Sequence, residues 1–272
     1  MIYSIFSSGF FWRAILAGGF LALACGLLGV FLVLRRDAMI AHGLSHVAFA
    51  GVAIGLLLNL LPLIVSLIIC LLGSFFILKL KERAKLPGDT AIAILSSAGM
   101  ALGVLLTSFK SGFGAELMTY LFGDVLAIAP TEVWLSVVLA FLVVILMVAN
   151  YYPLVFMTFD REAALVSGVK VKRLEELLVV LTSITVVLGI RIVGLLLVSA
   201  LTVIPAASAL QLARNFKTTL ILSSLFSLFS IISGIGIAYA LDISASAAIV
   251  FISILIFLIC LALKKLGLIK NF

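Results

Sequence analysis

FWRAILAGGFLALACGLLGVFLVL, residues 11–34, is an apolar run long enough to cross a lipid bilayer as one helix, and Arg35 and Arg36 end it. About 20 apolar residues suffice, because the hydrocarbon core is roughly 30 Å thick. The run continues past signal-peptide length without a cleavage site, so we expect it to be retained. The whole chain has this character, with 65% of its 272 residues hydrophobic and 11% charged. An ordinary soluble domain, about half apolar and about a quarter charged, is excluded.

Similar apolar runs recur along the chain and predict an all-α, polytopic transmembrane helical bundle of about 8–9 spans, in one domain covering residues 1–272. The predicted spans are 11–34, 39–60, 62–79, 90–108, 131–149, 174–190, 192–213, 218–240 and 244–263. Residues 109–130 do not fit this pattern. They predict a re-entrant helix or a short helix dipping into a cavity, because irregular backbone at membrane depth needs protein or water around it.

The net charge of +7 indicates an orientation in the membrane rather than a nucleic-acid partner. Of the 18 Lys and Arg residues, 15 fall in five short clusters between or after the spans. The clusters lie within Arg35–Arg36, Lys79–Lys85, Arg161–Arg173, Arg214–Lys217 and Lys264–Lys270. Cations in short loops mark the cytoplasmic side of a membrane protein. Nine crossings put every cluster on that side, with the N-terminus outside and the C-terminus in the cytoplasm.

Two histidines four residues apart, His42 and His46, interrupt the apolar stretch AHGLSHVAFAG, residues 41–51. Ionisable groups at bilayer depth are expensive and indicate function by default. The spacing puts both imidazoles on one helix face, where they can hold a transition metal. Counted from Arg36, His46 lies about 15 Å deeper, near the midplane where transporter sites lie. A purely structural pair, bonded to neighbouring helices, is the alternative.

Two histidines do not complete a metal site, so oxygen ligands are sought among the acids. Asp89, Glu116 and Asp124 are the acidic residues nearest membrane depth that have no cation beside them in sequence. Imidazole suits zinc, iron, copper or nickel, whereas carboxylate oxygens suit manganese. Each acid can instead cap a helix or make a structural hydrogen bond.

Two enzymatic functions are not expected from this chain. The histidine spacing is that of the H-E-x-x-H helix of zinc proteases, but Gly43 stands where the general-base Glu is needed. There is also no G-x-x-x-x-G-K-[ST] phosphate loop. If ATP drives transport, another subunit must therefore bring it.

A short amphipathic helix is predicted inside 150–173, the longest cytoplasmic loop. Thr158 or Asp160 can cap its N-terminus, an acid lies in its first turn, and Gly168 can end it. Such a helix suits the docking of a soluble partner. The alternative is a helix that lies on the lipid surface.

Four segments together resemble the membrane permease of metal-ion ABC importers, which take up zinc, manganese or iron. In the family's order they are Leu34–Arg36 with Ala41–His46, Glu116–Asp124, Phe159–Val169 and Val193–Ala209. The resemblance implies a homodimer in the cytoplasmic (inner) membrane, with two cytoplasmic ABC ATPases and an extracytoplasmic metal-binding protein. It also implies that 159–169 is the coupling helix received by the ATPase. The residues assigned to that contact are Phe159, Asp160, Arg161, Glu162, Leu165 and Gly168.

The family's motif usually reads Asp-x-x-x-His, and this chain departs from it at one position. His46 matches the shared histidine, whereas His42 stands where an Asp is typical. Exchanging a carboxylate for imidazole removes a hard oxygen, which tilts the expected preference from manganese toward zinc. Asp89 and Asp124 match acidic positions that are common in the family.

The predicted function is therefore a transport subunit without enzymatic chemistry or a resident cofactor. It carries a divalent cation into the cytoplasm by alternating access, with Zn²⁺ favoured over Mn²⁺ or Fe²⁺ as cargo. The first alternative is a secondary proton- or ion-coupled transporter that works without an ATPase and relays protons through His46. A membrane scaffold that only binds partners is the second.

Overall fold

The chain folds into helices and short turns in a computed structural model that describes residues 9–83, 87–109, 114–123, 130–195 and 197–266. The helices in these ranges are α1 (Gly9–Leu34), α2 (Met39–Leu57), α3 (Pro62–Arg83), α4 (Gly88–Thr107), α5 (Gly114–Phe122), α6 (Pro130–Ala149), α7 (Tyr151–Phe159), α8 (Arg161–Val166), α9 (Val171–Ile192), α10 (Val198–Leu212), α11 (Phe216–Leu241) and α12 (Ala245–Lys265). No strand occurs in those ranges, which confirms the predicted all-α bundle.

Each of the nine predicted spans coincides with a helix, and seven of these helices are long and apolar enough to cross a membrane. The two exceptions have physical reasons. Helix α9 carries four charged residues in its first two turns, Lys172, Arg173, Glu175 and Glu176. Helix α10 has 15 residues and therefore spans only about 22 Å, less than the hydrocarbon thickness.

The centre of the bundle is formed by α1 and α9. Helix α1 packs against α6, α9, α10 and α11, and α9 packs against α1, α2, α3 and α6. Residues 181–190 of α9 are all buried, so this helix is enclosed by protein along its second half. Helices α3 and α4 flank α2 on one side of the centre, while α10, α11 and α12 pack together on the other.

The ends of the helices that carry the basic clusters meet at one end of the bundle, called here the basic end. Ion pairs join the α1–α2 connection to α3 and α9, and they join α9 to α3 and α8. Lys264 of α12 donates a hydrogen bond to Gln211 of α10. Phe216 at the start of α11 stacks edge-on against Phe31 of α1 and Phe159 of α7. The structure therefore gathers these clusters on one side, as their pattern in the sequence predicts.

The opposite end holds α5, the helix inside 109–130. It has nine residues, too few to cross the membrane, and it packs against α9 and α2. The Leu195 amide donates to the Tyr120 carbonyl, and the Arg191 guanidinium lies 4.4 Å from the Tyr120 ring centroid. Arg191 also donates to one carboxylate oxygen of Glu132 at 2.9 and 3.1 Å. The ion pair therefore joins α6 to the end of α9, and the two contacts of Tyr120 join α5 to the same region.

Candidate metal site

The histidine pair lies in the first half of α2, which begins at Met39 after a tight turn. The turn places Arg36 in the left-handed region with φ 60°, and the Asp37 amide donates back to the Leu32 carbonyl. Helix α2 has 19 residues, and His46 is the eighth of them. The pair therefore lies within the span, about 6 Å apart along the helix axis.

The distance between the two imidazole nitrogens is close to the distance expected when both bind one metal ion. Nε2 of His46 is 3.2 Å from Nε2 of His42, and the rings are perpendicular with centroids 4.7 Å apart. Two imidazole nitrogens bound to one tetrahedral zinc at 2.0–2.1 Å are separated by about 3.3 Å. The distance between the two nitrogens is therefore compatible with one shared ion.

The pair faces outward from the bundle of a single chain. His42 is exposed and His46 is half-buried. Within the part of the chain that the structure describes, the buried Nδ1 of His46 has no hydrogen-bond partner. A polar pair turned toward hydrocarbon is unfavourable, so this face belongs against protein, water or a bound cation.

Helix α4 supports the backbone behind His46. A Cβ placed on Gly99 would lie 2.7 Å from the His46 carbonyl oxygen and 2.8 Å from Cα of Val47, and Gly103 packs against the Phe49 ring. Gly99 and Gly103 form the small-xxx-small pattern that lets membrane helices approach closely. Residue numbers in these contacts increase together on both helices, so α4 runs parallel to α2. Helix α4 thereby fixes the position of the histidine pair along the axis of the bundle.

Six residues of α4 line an open groove with His46, and three of them, Ser96, Ser97 and Met100, carry an oxygen or sulfur atom in the side chain. None of them was singled out from the sequence, because one serine or methionine in an apolar run carries no signal by itself. Their proximity to His46 can be inferred only after the contact between Gly99 and α2 is known. The groove offers hydroxyl and thioether groups, which are weak ligands and suit transient contact with a cation.

Asp89 is the one predicted acidic ligand whose side chain the structure describes, and it does not lie beside the pair. Asp89 lies in the first turn of α4 and is exposed, roughly one turn closer to the basic end than the Gly43–Ile92 contact. In the described ranges no three His, Cys, Asp or Glu side chains form a group able to hold a metal. Glu116 belongs to α5, but its side chain lies outside the described residues, as does the whole of Asp124.

The predicted docking helix is α8, and its boundaries follow from its caps. Asp160 has extended backbone, and its carboxylate accepts the Ala163 amide at 2.8 Å, which confirms Asp160 rather than Thr158 as the cap. Thr158 instead donates to the Leu154 carbonyl. Gly168 ends the helix with φ +83°, a conformation that favours glycine. The acidic residue of the first turn is Glu162, as predicted.

The residues assigned to the ATPase contact divide between two elements. Phe159 ends α7, a helix that the sequence does not predict, while Arg161, Glu162 and Leu165 lie on α8. Ala164 is the buried residue of α8, and Val166 next to Leu165 has 91% of its surface exposed. The helix therefore leaves most of its surface exposed.

Comparisons with known proteins agree on one relationship. The model of the ABC 3 transport family matches residues 7–264. The chain is 30% identical to the manganese transport system membrane protein MntC of Halalkalibacterium halodurans, over 93% of this chain and 87% of that one. It is 31% identical to the high-affinity zinc uptake system membrane protein ZnuB of Haemophilus influenzae, over 91% and 95%. The solved structure of PsaBC from Streptococcus pneumoniae in complex with Fab is similar, with a TM-score of 0.85, 28% identity and coverage of 96% and 95%.

Proposed function

Because the chain belongs to the ABC 3 transport family, we propose that it is the membrane subunit of a metal-ion importer whose cargo passes the His42/His46 pair. Members of this family are transport components, and ATP hydrolysis resides on a partner subunit. Its relatives include permeases named for manganese and for zinc. A secondary transporter without an ATPase is not favoured by this membership.

The observation that carries the proposal is the 3.2 Å separation of two Nε2 atoms on the outward face of α2. One chain supplies two ligands, and a tetrahedral ion needs four. A second copy related by a twofold axis brings the same face against this one and supplies two more imidazoles. A homodimer with the cation between its α2 helices completes the site and also removes the polar face from lipid.

The cation favoured by this ligand set is zinc. Imidazole nitrogens suit zinc and other borderline metals, whereas manganese prefers oxygen. A site made only of imidazoles has no carboxylate to recruit manganese. If Glu116, Asp124 or Asp89 contributes an oxygen during passage, manganese and iron become better cargo.

The proposed orientation puts the basic end in the cytoplasm. Lys and Arg clusters in short loops mark that side. Helix α8 lies at this end, where an ATPase can reach it, and α5 lies at the end that faces an extracytoplasmic metal-binding protein. The N-terminus is then outside, the C-terminus is in the cytoplasm, and residues 1–272 act as one permease domain. Movement of α8 by the ATPase exposes the pair to each side in turn.

The transport experiment uses the permease reconstituted in proteoliposomes with its ATPase and binding protein. We expect ATP-dependent zinc uptake that continues in the presence of a protonophore and is lost in His46→Ala. Ser108→Ala is the matched control, because it removes a hydroxyl at the end of α4, outside the groove that His46 lines, and leaves both imidazoles in place. Uptake without ATP that collapses with the proton gradient supports the secondary transporter instead.

The partner experiment measures retention of the ATPase by detergent-solubilised permease. We expect the double change Asp160→Ala with Leu165→Ala to lose the ATPase, because it removes the α8 cap and an exposed apolar contact. Lys265→Ala, an exposed cation on α12, is the control and should retain the ATPase. Equal retention by all three proteins contradicts the assignment of α8.

A further inference from the structure

One carboxylate at the basic end bonds to two different parts of the chain. Oε1 of Glu175, on α9, accepts from Nε of Arg161 at 2.9 Å and from Nη2 of Arg35 at 3.0 Å. Arg161 is the first residue of α8, and Arg35 directly follows α1. A single oxygen therefore joins the docking helix to the segment that leads into α2.

The connection continues from Arg35 toward the histidine helix. Nε of Arg35 lies 3.5 Å from Asp37, and Nζ of Lys81 on α3 lies 2.9 Å from the other oxygen of Asp37. The Asp37 carbonyl accepts the amide of Ile40 in the first turn of α2. The chain of contacts Arg161–Glu175–Arg35–Asp37 thus ends five residues before His42.

The burial of these groups makes the inner pairs stronger than typical surface pairs. The side chain of Arg35 is 12% exposed and that of Glu175 is 23% exposed. Surface pairs contribute little because water screens them, and partial burial reduces that screening. The hydrogen bond that Arg161 donates to Glu175 also raises the pKa of Arg161, which keeps the guanidinium charged.

We propose that Glu175 is a positioning residue that links α8 to the start of α2, so that displacement of α8 moves the histidine pair. This inference rests on the proposed function because it takes α8 as the surface the ATPase moves. Glu175 is not one of the residues assigned to the metal or to the ATPase contact. It acts by binding both Arg161 and Arg35, so that α8 and the α1–α2 connection move together.

A second ion pair provides a matched control. Lys172 of α9 and Glu82 of α3 are 3.0 Å apart, and their side chains are 66% and 53% exposed. This pair also uses a glutamate to bridge two elements at the basic end, but its ion pair joins α9 to α3 and includes no residue of α8 or of the α1–α2 connection. A general loosening of the basic end should affect both pairs, whereas a specific link depends on Glu175 alone.

The link is measured as the distance between spin labels at Val166→Cys on α8 and Met39→Cys at the start of α2. Both positions are exposed, and the native cysteines Cys25, Cys70 and Cys260 are buried, so labelling is confined to the introduced sites. Dilution with unlabelled chain limits the signal to distances within one chain. We expect Glu175→Gln to broaden the distance distribution, Glu175→Asp to broaden it less, and Glu82→Gln to leave it unchanged.

The functional readout is the amount of metal transported for each ATP hydrolysed. We expect this ratio to fall about fivefold or more in Glu175→Gln, the size of a typical coupling between sites, while the ATPase stays bound. Where Glu175→Gln does not assemble, Asp37→Asn interrupts the same chain at its other end and should give the same two results. An unchanged distribution in an assembled variant, or equal broadening in Glu82→Gln, overturns the inference.

The two proposals fail in different ways. Wild-type vesicles that show no ATP-dependent uptake contradict the importer, and the label distances still decide whether Glu175 holds α8 to α2. Vesicles that import metal normally with Glu175→Gln contradict the link and leave the importer standing.

Discussion

The histidine pair lies within a dozen residues of Arg35 and Asp37, two members of the ion-pair chain, yet the polar groups of the two regions are satisfied in opposite ways. Arg35 and Asp37 find all their partners inside the chain, at 2.9 to 3.5 Å. Within the described ranges, His42 and His46 make a side-chain hydrogen bond to each other, and the buried Nδ1 of His46 has no partner. The ion pairs of Arg35 and Asp37 stabilise the fold of the single chain. Unsatisfied groups at membrane depth indicate what must be supplied by a cation or a second copy.

The largest effect is expected from His46→Ala. Loss of one imidazole from each chain leaves two of four ligands in the dimer, too few to compete with water for zinc. Uptake should be abolished while expression, assembly and ATPase retention match wild type. His46→Gln, which preserves volume without an imidazole, should fail in the same way. Wild-type uptake by either variant removes the pair from the transport route.

The second largest effect is expected from a change in the packing of α4 against the backbone of His46. Gly99→Ala forces α4 away from the His46 carbonyl, because the new Cβ would lie 2.7 Å from that oxygen. Overpacking of this kind costs about 1–3 kcal/mol and should lower the melting temperature and the zinc affinity together. Gly236→Ala on α11 is the control, since a Cβ there has no atom within 4 Å. Equal behaviour of the two variants contradicts the packing described for α4.

A smaller change should alter selectivity without stopping transport. His42→Asp replaces a nitrogen ligand by a carboxylate and adds a hard, charged oxygen on the same face. We expect the ratio of zinc to manganese uptake to fall, with total transport largely retained. Competition of the two ions in the same vesicles measures this ratio. A ratio that rises or stays constant shows that position 42 does not set the preference.

The smallest effect is expected at the cap of α8. Asp160→Ala removes one side-chain hydrogen bond to the Ala163 amide, which costs about 1 kcal/mol of helix stability. ATPase affinity should therefore fall about fivefold, without loss of the complex. Asp160→Asn, which can still accept the amide, should remain close to wild type. Identical titration curves for Ala and wild type mean that α8 is held by the partner and not by its cap.

The sequence predicts local features well, because each span is fixed by its own apolar length and each cap by its own residue type. The nine helices and the Gly168 stop follow from such local rules, which also leave Thr158 and Asp160 as the two candidate caps. Helix α7 was missed, since YYPLVFMTF is too short for a span and its proline argues against a helix interior. Its position is fixed instead by aromatic packing against Phe216.

The sequence pattern does not predict contacts between residues that are far apart in the chain. Glu175 reads as one acid in a charged turn, and nothing local connects it with Arg35, 140 residues away. Likewise, nothing in the sequence around Arg191 predicts its ion pair with Glu132 on α6, 59 residues away. The tertiary arrangement decides both pairings, and it also decides that Gly99 is a contact to α2.

Zinc bound to the purified dimer provides the decisive measurement, by X-ray absorption spectroscopy together with metal analysis. We predict one zinc ion for two chains, with a coordination shell of imidazole nitrogens at 2.0–2.1 Å. Both signals should disappear in His46→Ala. Zinc bound through oxygen alone, or an unchanged spectrum in His46→Ala, would contradict the paired-imidazole site.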